Sequence, residues 1–228
     1  SGARCMHREL LRRRSAHIAL TYAWHYPKYS LAAAKQPWKQ PYGLVLDTYQ
    51  HHAPWNKNTL LDRIKERIRY GYAMSRANFI MAEAPFLRDY TGEHFPGVET
   101  MYVPKCVWLH DWQAIEQTWR EEGTTPQRAP VILYAGQVIP RKGVHDLLAA
   151  FAALAARYPE WTVAIVGPYL SDEYAQQLAQ IIASNNLQAR VHFSPLLTGE
   201  ALYRRYKASS IYCMPTRHEG MPTTILEA

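Results

Sequence analysis

The stretch that decides the fold is Val131-Ile132-Leu133-Tyr134-Ala135-Gly136, followed by the Ala/Leu-rich run from Val144 to Arg157 and then by Thr162-Val163-Ala164-Ile165-Val166-Gly167-Pro168. Two short apolar runs that close on glycine are signals of buried strands. The run between them suits a helix. Strand, helix, strand with apolar strands predicts a parallel sheet covered on both faces. Working toward the C-terminus, the alternation continues. Ser171–Ser184 opens on a Ser-Asp-Glu cap signal and repeats Tyr174, Leu178, Ile181 and Ile182 at helical spacing. Arg190–Phe193 is a third strand, Gly199–Lys207 a short helix and Ser210–Met214 a fourth strand, and a last helix begins near Pro222.

Toward the N-terminus the pattern repeats less cleanly. Cys5–Arg14 is a basic helical stretch; His17–Thr21, Tyr42–Leu46, Asn78–Met81 and Met101–Val103 read as strands. Leu60–Met74 and Pro85–Tyr90 read as helices. Residues 109–128 read as a linker, a Trp/Glu-rich helix followed by the turn-rich Glu122-Gly123-Thr124-Thr125-Pro126. The expected architecture is therefore α/β with two doubly wound parallel-sheet domains, 1–108 and 129–228. Both are expected to be truncated. The chain opens in a helix with no preceding strand and stops at Leu226-Glu227-Ala228, inside an apolar helix.

Composition agrees with a globular chain. Of 228 residues, 48% are hydrophobic and 20% charged, which excludes a disordered tail or a collagen-like repeat. Three scattered cysteines, Cys5, Cys106 and Cys213, do not make a disulfide framework or a zinc site and suit a reduced, cytoplasmic compartment. No run of 18 apolar residues is present. The net charge of +7 is concentrated in the first half, where 18 Lys/Arg stand against 12 Asp/Glu, compared with 8 against 7 from residue 129 on. A basic half suits an anionic partner: a phosphorylated substrate, an acidic lipid surface or a nucleic acid. No nucleic-acid recognition signature accompanies the charge, so nucleic acid is not expected as a partner.

Two loops carry the chemistry. Glu219-Gly220-Met221-Pro222-Thr223-Thr224-Ile225-Leu226-Glu227 follows a buried strand and opens a helix. Pro222 suits the first helical position. The amides of Thr223, Thr224 and Ile225 would then be unpaired and form a phosphate seat, and Gly220 would let a ligand approach the backbone. Glu227 lies about 7.5 Å further along the axis, the span from a diphosphate to a ribose. The plainer reading is a strand-turn-helix with a solvated pair of glutamates. The second loop is Gly136-Gln137-Val138-Ile139-Pro140-Arg141-Lys142-Gly143. Two cations before a helix oppose its dipole, and a bound anion would resolve the conflict, with Lys142 as its clamp. The plainer reading is a solvated basic loop. Both loops follow strands of one sheet, where open α/β sheets bind ligands.

The run from Ile132 to Ala228 resembles the donor-binding domain of the retaining glycosyltransferases of family 4. The matches are Gly136 after its strand, Lys142-Gly143, Ile165-Val166-Gly167, Val191 and Phe193, Pro215-Thr216, and the Glu-x7-Glu motif spelled by Glu219 and Glu227. The first half resembles the second part of that family's acceptor domain. The resemblance implies a GT-B fold of two Rossmann-like domains and a metal-independent transfer of sugar from a nucleotide-sugar donor with retention of configuration. It implies no cofactor, since the nucleotide sugar is a substrate. Lys142 would clamp the departing diphosphate and Glu219 would orient the donor sugar. Gly136, Gln137, Arg141, Gly167, Gly220, Met221, Pro222, Thr223, Thr224 and Glu227 would line the donor site, with Glu227 on the ribose. The acceptor would be a glycan, a lipid-linked sugar or a small molecule. Asp47, at the end of the strand Tyr42–Leu46, and His51 would face it.

This chain departs from the family at three places. Gln137 stands where Arg is usual, Asp47 ends a strand that often ends in His, and Pro104-Lys105-Cys106-Val107-Trp108 replaces Pro-Asn-Gly-Val-Asp. A non-catalytic relative that binds a nucleotide sugar or a partner is the alternative. As a fragment, residues 1–228 are expected to bind donor poorly and to transfer no sugar. Adjacent His51 and His52 read as a loop pair rather than metal ligands. The helix Leu60–Met74 sets Leu60, Leu61, Ile64 and Ile68 against Arg63, Lys65, Arg67 and Arg69. It would lie on an acidic membrane face or, in the plainer reading, pack those four apolar residues into the core.

Overall fold

The computed structural model describes residues 19–22, 34, 41–46, 59–107, 109–217, 219 and 221–228. The basic stretch Cys5–Arg14, Asp47, His51 and Gly220 lie outside these residues. The chain divides into two compact units, Ser1–Lys105 with Glu219–Met221, and Cys106–His218 with Pro222–Ala228.

In the first unit four parallel strands run in the order β1 (Ala19–Tyr22), β2 (Tyr42–Leu46), β3 (Phe79–Ala82) and β4 (Glu99–Tyr102). Helix α1 (Leu60–Ser75) joins β2 to β3 and α2 (Pro85–His94) joins β3 to β4. Leu44, Leu46, Ile80, Ala82 and Leu87 are fully buried and form the core with Met74. Gly43 sits opposite Phe79 across the ladder, and a Cβ there would run into the Phe79 ring. The glycine makes room for an aromatic residue on the neighbouring strand. The Tyr42 hydroxyl donates to the Ala73 carbonyl at 2.6 Å and fastens β2 to the last turn of α1.

Helix α1 departs from its plainer reading. Leu60, Leu61, Ile64 and Ile68 are exposed rather than core residues. At 3.6 residues per turn they form one stripe. Tyr70, Ala73 and Met74, on nearly the opposite face, are the residues that reach the core. Among the described side chains of the helix, those that reach the core stand in its C-terminal half.

In the second unit the parallel order is β7-β6-β5-β8, with β5 Ala129–Ala135, β6 Thr162–Val166, β7 Val191–Ser194 and β8 Ser209–Tyr212. Alternate residues of the two central strands, β5 and β6, enter different cores. Tyr134, Val163 and Ile165 pack with α4 (Val144–Ala155) and α5 (Asp172–Ser184). Leu133, Ala135, Ala164 and Val166 pack on the other face with Tyr206 of α6 (Gly199–Ala208). Both faces of β5 and β6 are covered, which is why these two strands read as continuous apolar runs.

The segment expected to be a linker is instead part of this unit. Its helix, α3 (Leu109–Glu122), packs on α6. Trp119, 2% exposed, stacks on Tyr203 at 5.3 Å and donates its indole N–H to Glu200 at 2.8 Å. Glu116 accepts from Tyr203 and Lys207. A large aromatic side chain with a satisfied N–H makes an anchored helix of what its polar surface suggests is a tether. Among the described residues, no helix is long and apolar enough to cross a membrane.

Candidate functional site

Strand order reverses between β5 and β8: β6 and β7 lie to one side of β5, and β8 to the other. The carboxyl ends of β5 and β8 therefore flank a topological switch point, the place where open α/β sheets form ligand crevices. Both loops singled out in the sequence leave the sheet there.

The loop after β5 is rigidly built. Gly136 donates its N–H to Val166 at 2.9 Å, and Val138 donates to Pro168 at 2.9 Å. Gly136 and Gly167, with φ of 152° and 142°, lie back to back; a Cβ on Gly167 would run into the Gly136 carbonyl. Gly167 is thus required by packing between two strand ends. Gln137 is exposed, and its carbonyl accepts the Tyr134 hydroxyl at 2.7 Å. Pro140–Lys142 forms a single 3-10 turn, half-buried at Arg141 and Lys142, and ends on Gly143 with φ 73°. Gly143 is also the N-cap of α4, and its carbonyl receives the amides of Asp146 and Leu147.

The loop after β8 is fastened onto this turn. A Cβ at Gly143 would run into the Pro215 carbonyl. The Thr216 hydroxyl and the Arg217 amide both donate to the Arg141 carbonyl, at 3.4 and 3.2 Å. The Arg217 guanidinium pairs with Asp146 in the first turn of α4 at 3.2 Å. His145 lies within 3.4 Å of Asp146, and its Nδ1 within 2.8 Å of the Tyr174 hydroxyl. Asp146 answers the electrostatic puzzle posed by two cations before a helix, since an acid in the first turn complements the dipole. Asp146, His145 and Arg217 were not found from the sequence; the partners Asp146 and Arg217 are 71 residues apart, beyond any local pattern.

The last helix differs from expectation. α7 spans Thr223–Glu227, and Pro222 is its N-cap rather than its first helical residue. Of the three amides expected to be unpaired, that of Ile225 donates to the Pro222 carbonyl at 3.2 Å. The Thr224 hydroxyl lies 3.5 Å from the Met214 sulfur. Glu227 accepts a hydrogen bond from the Tyr206 hydroxyl at 3.0 Å. Burial, then the neighbouring Tyr212 and Glu227, push the Tyr206 hydroxyl far above its ordinary pKa, so it stays a donor. Gly136, Gln137, Arg141, Lys142, Gly167 and Pro222 through Glu227 all belong to the second unit; Glu219 and Met221 group with the first. Among the described residues no group of His, Cys, Asp and Glu is placed to hold a metal ion.

With this geometry in view, the comparisons are specific. A family model for glycosyl transferases group 1 matches residues 115–228. An uncharacterized glycosyltransferase of Haemophilus influenzae is 35% identical over 97 residues, 42% of this chain and 26% of the relative. The alpha-galactosylglucosyldiacylglycerol synthase of Streptococcus pneumoniae is 23% identical over 176 residues, 74% of this chain and 45% of the relative. The chain thus spans less than half the length of these relatives. Among solved structures, Anabaena HepE in complex with UDP and glucose superimposes with a TM-score of 0.71 at 16% identity, covering 97% of this chain and 59% of that one. The likeness is one of fold, that of the GT-B glycosyltransferases.

Proposed function

Because the chain belongs to the glycosyl transferases group 1 family, we propose that it is the core of an enzyme that transfers a sugar from a nucleoside-diphosphate donor to a hydroxyl acceptor, with retained configuration and without a metal. The observation that carries this reading is the joining of the two loops at the switch point. The Gly143–Pro215 contact and the Arg217–Asp146 pair fix the loop that precedes Glu219 on the loop that bears Lys142. In this reading Lys142, assisted by Arg141, neutralises the charge that grows on the leaving diphosphate. Gly136 and Gln137 line the donor side. Thr223 and Thr224 add donors to the phosphates, and Glu227, oriented by Tyr206, holds the ribose. Glu219, Gly220 and Met221 meet the donor sugar, and Asp47 and His51 the acceptor, which is a glycan, a lipid-linked sugar or a small molecule. A GDP-mannose-dependent mannosyltransferase of Mycolicibacterium smegmatis, 25% identical over 186 residues, supports a nucleotide-sugar donor.

Calorimetry of the full-length protein against UDP, GDP and ADP and their hexose conjugates tests the reading. One nucleotide series is expected to bind, and Lys142→Ala is expected to lower turnover by about 10² or more, the worth of a preorganised charge contact. A protein that binds none of the three nucleotides refutes the reading. One that binds a nucleotide sugar but never transfers or hydrolyses it is the non-catalytic relative instead.

A cytoplasmic, membrane-peripheral location is favoured by the exposed stripe Leu60, Leu61, Ile64 and Ile68 of α1. It stands in a helix whose sequence carries Arg63, Lys65, Arg67 and Arg69. An apolar stripe beside basic residues matches an anionic lipid surface.

A further inference from the structure

The first unit carries a polar pair that the reading above does not use. Glu83 follows β3 and Lys105 follows β4, adjacent parallel strands. The Glu83 amide donates to the Leu46 carbonyl at 2.9 Å, and the Val103 amide to the Ala82 carbonyl at 2.8 Å. The ladder thus fixes the backbone up to the pair, at the carboxyl edge of the sheet. The Lys105 ammonium lies 3.0 Å from Glu83 Oε2. Their side chains are 37% and 9% exposed, so the carboxylate is nine-tenths buried and the ammonium connects it to solvent. Despite that distance, among the described residues Oε2 finds no hydrogen-bond partner: the ammonium stands beside it without the right geometry.

This arrangement is poor for stability. Desolvating the Glu83 carboxylate costs several kcal/mol, which an ion pair offsets only with good geometry and further hydrogen bonds. A buried polar atom without a hydrogen bond in a native fold calls for an explanation. Ligand binding supplies one. A carboxylate only accepts and an ammonium only donates. A sugar or polyol hydroxyl does both, so a hydroxyl or a vicinal pair would donate to Glu83 and accept from Lys105 at once.

We propose that Glu83 and Lys105 form a hydroxyl-binding subsite in the first unit that takes the polyol or sugar acceptor, with Glu83 contacting an acceptor hydroxyl directly. The proposal rests on the glycosyltransferase reading and adds to it the residues and the chemical class of the acceptor subsite. The pair also sits one strand over from β2, after which Asp47 follows in sequence.

Saturation-transfer NMR on the full-length protein tests it with methyl α-D-glucopyranoside, methyl α-D-galactopyranoside, myo-inositol and glycerol as probes, and UDP, GDP and ADP as separate ligands. At least one polyol is expected to bind the parent protein. Glu83→Gln is expected to weaken that probe about tenfold or more, the worth of one charge-assisted hydrogen bond, with nucleotide binding unchanged. Glu83→Asp keeps the charge but draws the carboxylate back; the same loss is expected, and this variant decides the matter if Glu83→Gln does not fold. Absence of any polyol signal on the parent, or a folded variant that binds the probe as the parent does, overturns the proposal. Loss of all nucleotide binding by the parent overturns instead the glycosyltransferase reading, so the two failures are distinct.

Discussion

Gly143 shows how much one residue can be asked to do. It ends the turn that bears Lys142, caps α4 with its carbonyl, and leaves no room for a side chain against the Pro215 carbonyl. Gly143→Ala meets both a left-handed backbone and that carbonyl. The backbone alone costs about 1–2 kcal/mol. Chemical denaturation is expected to show a loss of at least that size, and calorimetry a loss of nucleotide binding, because the two loops part. A second prediction at this scale concerns pH. Burial, opposed by Arg76 and assisted by Tyr72, raises the Tyr42 hydroxyl from 10.0 to about 12. Burial alone raises Tyr169 to about 12. In both cases the folded chain keeps a proton that the unfolded chain has lost. Their contribution to stability is therefore full below pH 10, the ordinary tyrosine value, and is lost as pH rises through the folded value. Melting temperature is expected to fall across that alkaline window. Tyr42→Phe, which removes the titrating group from the first unit, should make the fall shallower.

Among the elements, α3 and α1 each differ from what their sequences suggest, for a physical reason. α3 carries a polar surface and precedes a turn-rich segment, so its sequence resembles a tether. Its anchor, Trp119, is a single large side chain between Tyr203, Glu200 and Arg204, and all three partners stand far away in the chain, Glu200 by 81 residues. Trp119→Ala is expected to cost about 3–5 kcal/mol, read from the denaturant midpoint of the second unit. In α1 Leu60, Leu61, Ile64 and Ile68 follow the helical period, yet they face solvent, and among the described side chains Tyr70, Ala73 and Met74 reach the core. Periodicity reports that a helix has an apolar face; it does not report what covers it. Co-sedimentation with vesicles of phosphatidylcholine and phosphatidylglycerol is expected to capture the protein, more weakly as salt screens the charges. The double substitution Ile64→Glu and Ile68→Glu is expected to abolish the capture while leaving nucleotide binding intact.

For the molecule as a whole, two parallel sheets hold separate cores, and the candidate donor loops leave only the second. Hydrogen exchange tests that division. Nucleotide is expected to slow exchange at residues 136–143 and 213–217 and to leave the amides of β1, β2 and β3 unchanged. Protection spread evenly over both sheets would place the donor elsewhere. Binding should also stabilise the protein by mass action, by about 2.7 kcal/mol at a hundredfold excess over the dissociation constant.

The sequence by itself determined the alternation of strands and helices, the parallel pairing, and the two glycine-bounded loops at strand ends. Those features follow from local chemistry: which side chains avoid water, with what period, and where a glycine or proline stops the run. The central strands β5 and β6 were legible because their apolar runs are buried on both faces, whereas the outer β7 and β8 carry His192, Ser209 and Ser210 and are partly exposed. The tertiary structure alone decided what each polar group meets. It paired Asp146 with Arg217, set Tyr206 on Glu227, brought Lys105 beside Glu83 and drew the Ile225 amide to Pro222. Apart from the last, these contacts join residues 21 to 71 positions apart. They exist because the order β7-β6-β5-β8 and the neighbouring β3 and β4 carry distant chain segments to the same sheet edge. A hydrophobic period fixes which face of an element turns inward, but spatial order, set when all the elements pack at once, fixes which charges face each other.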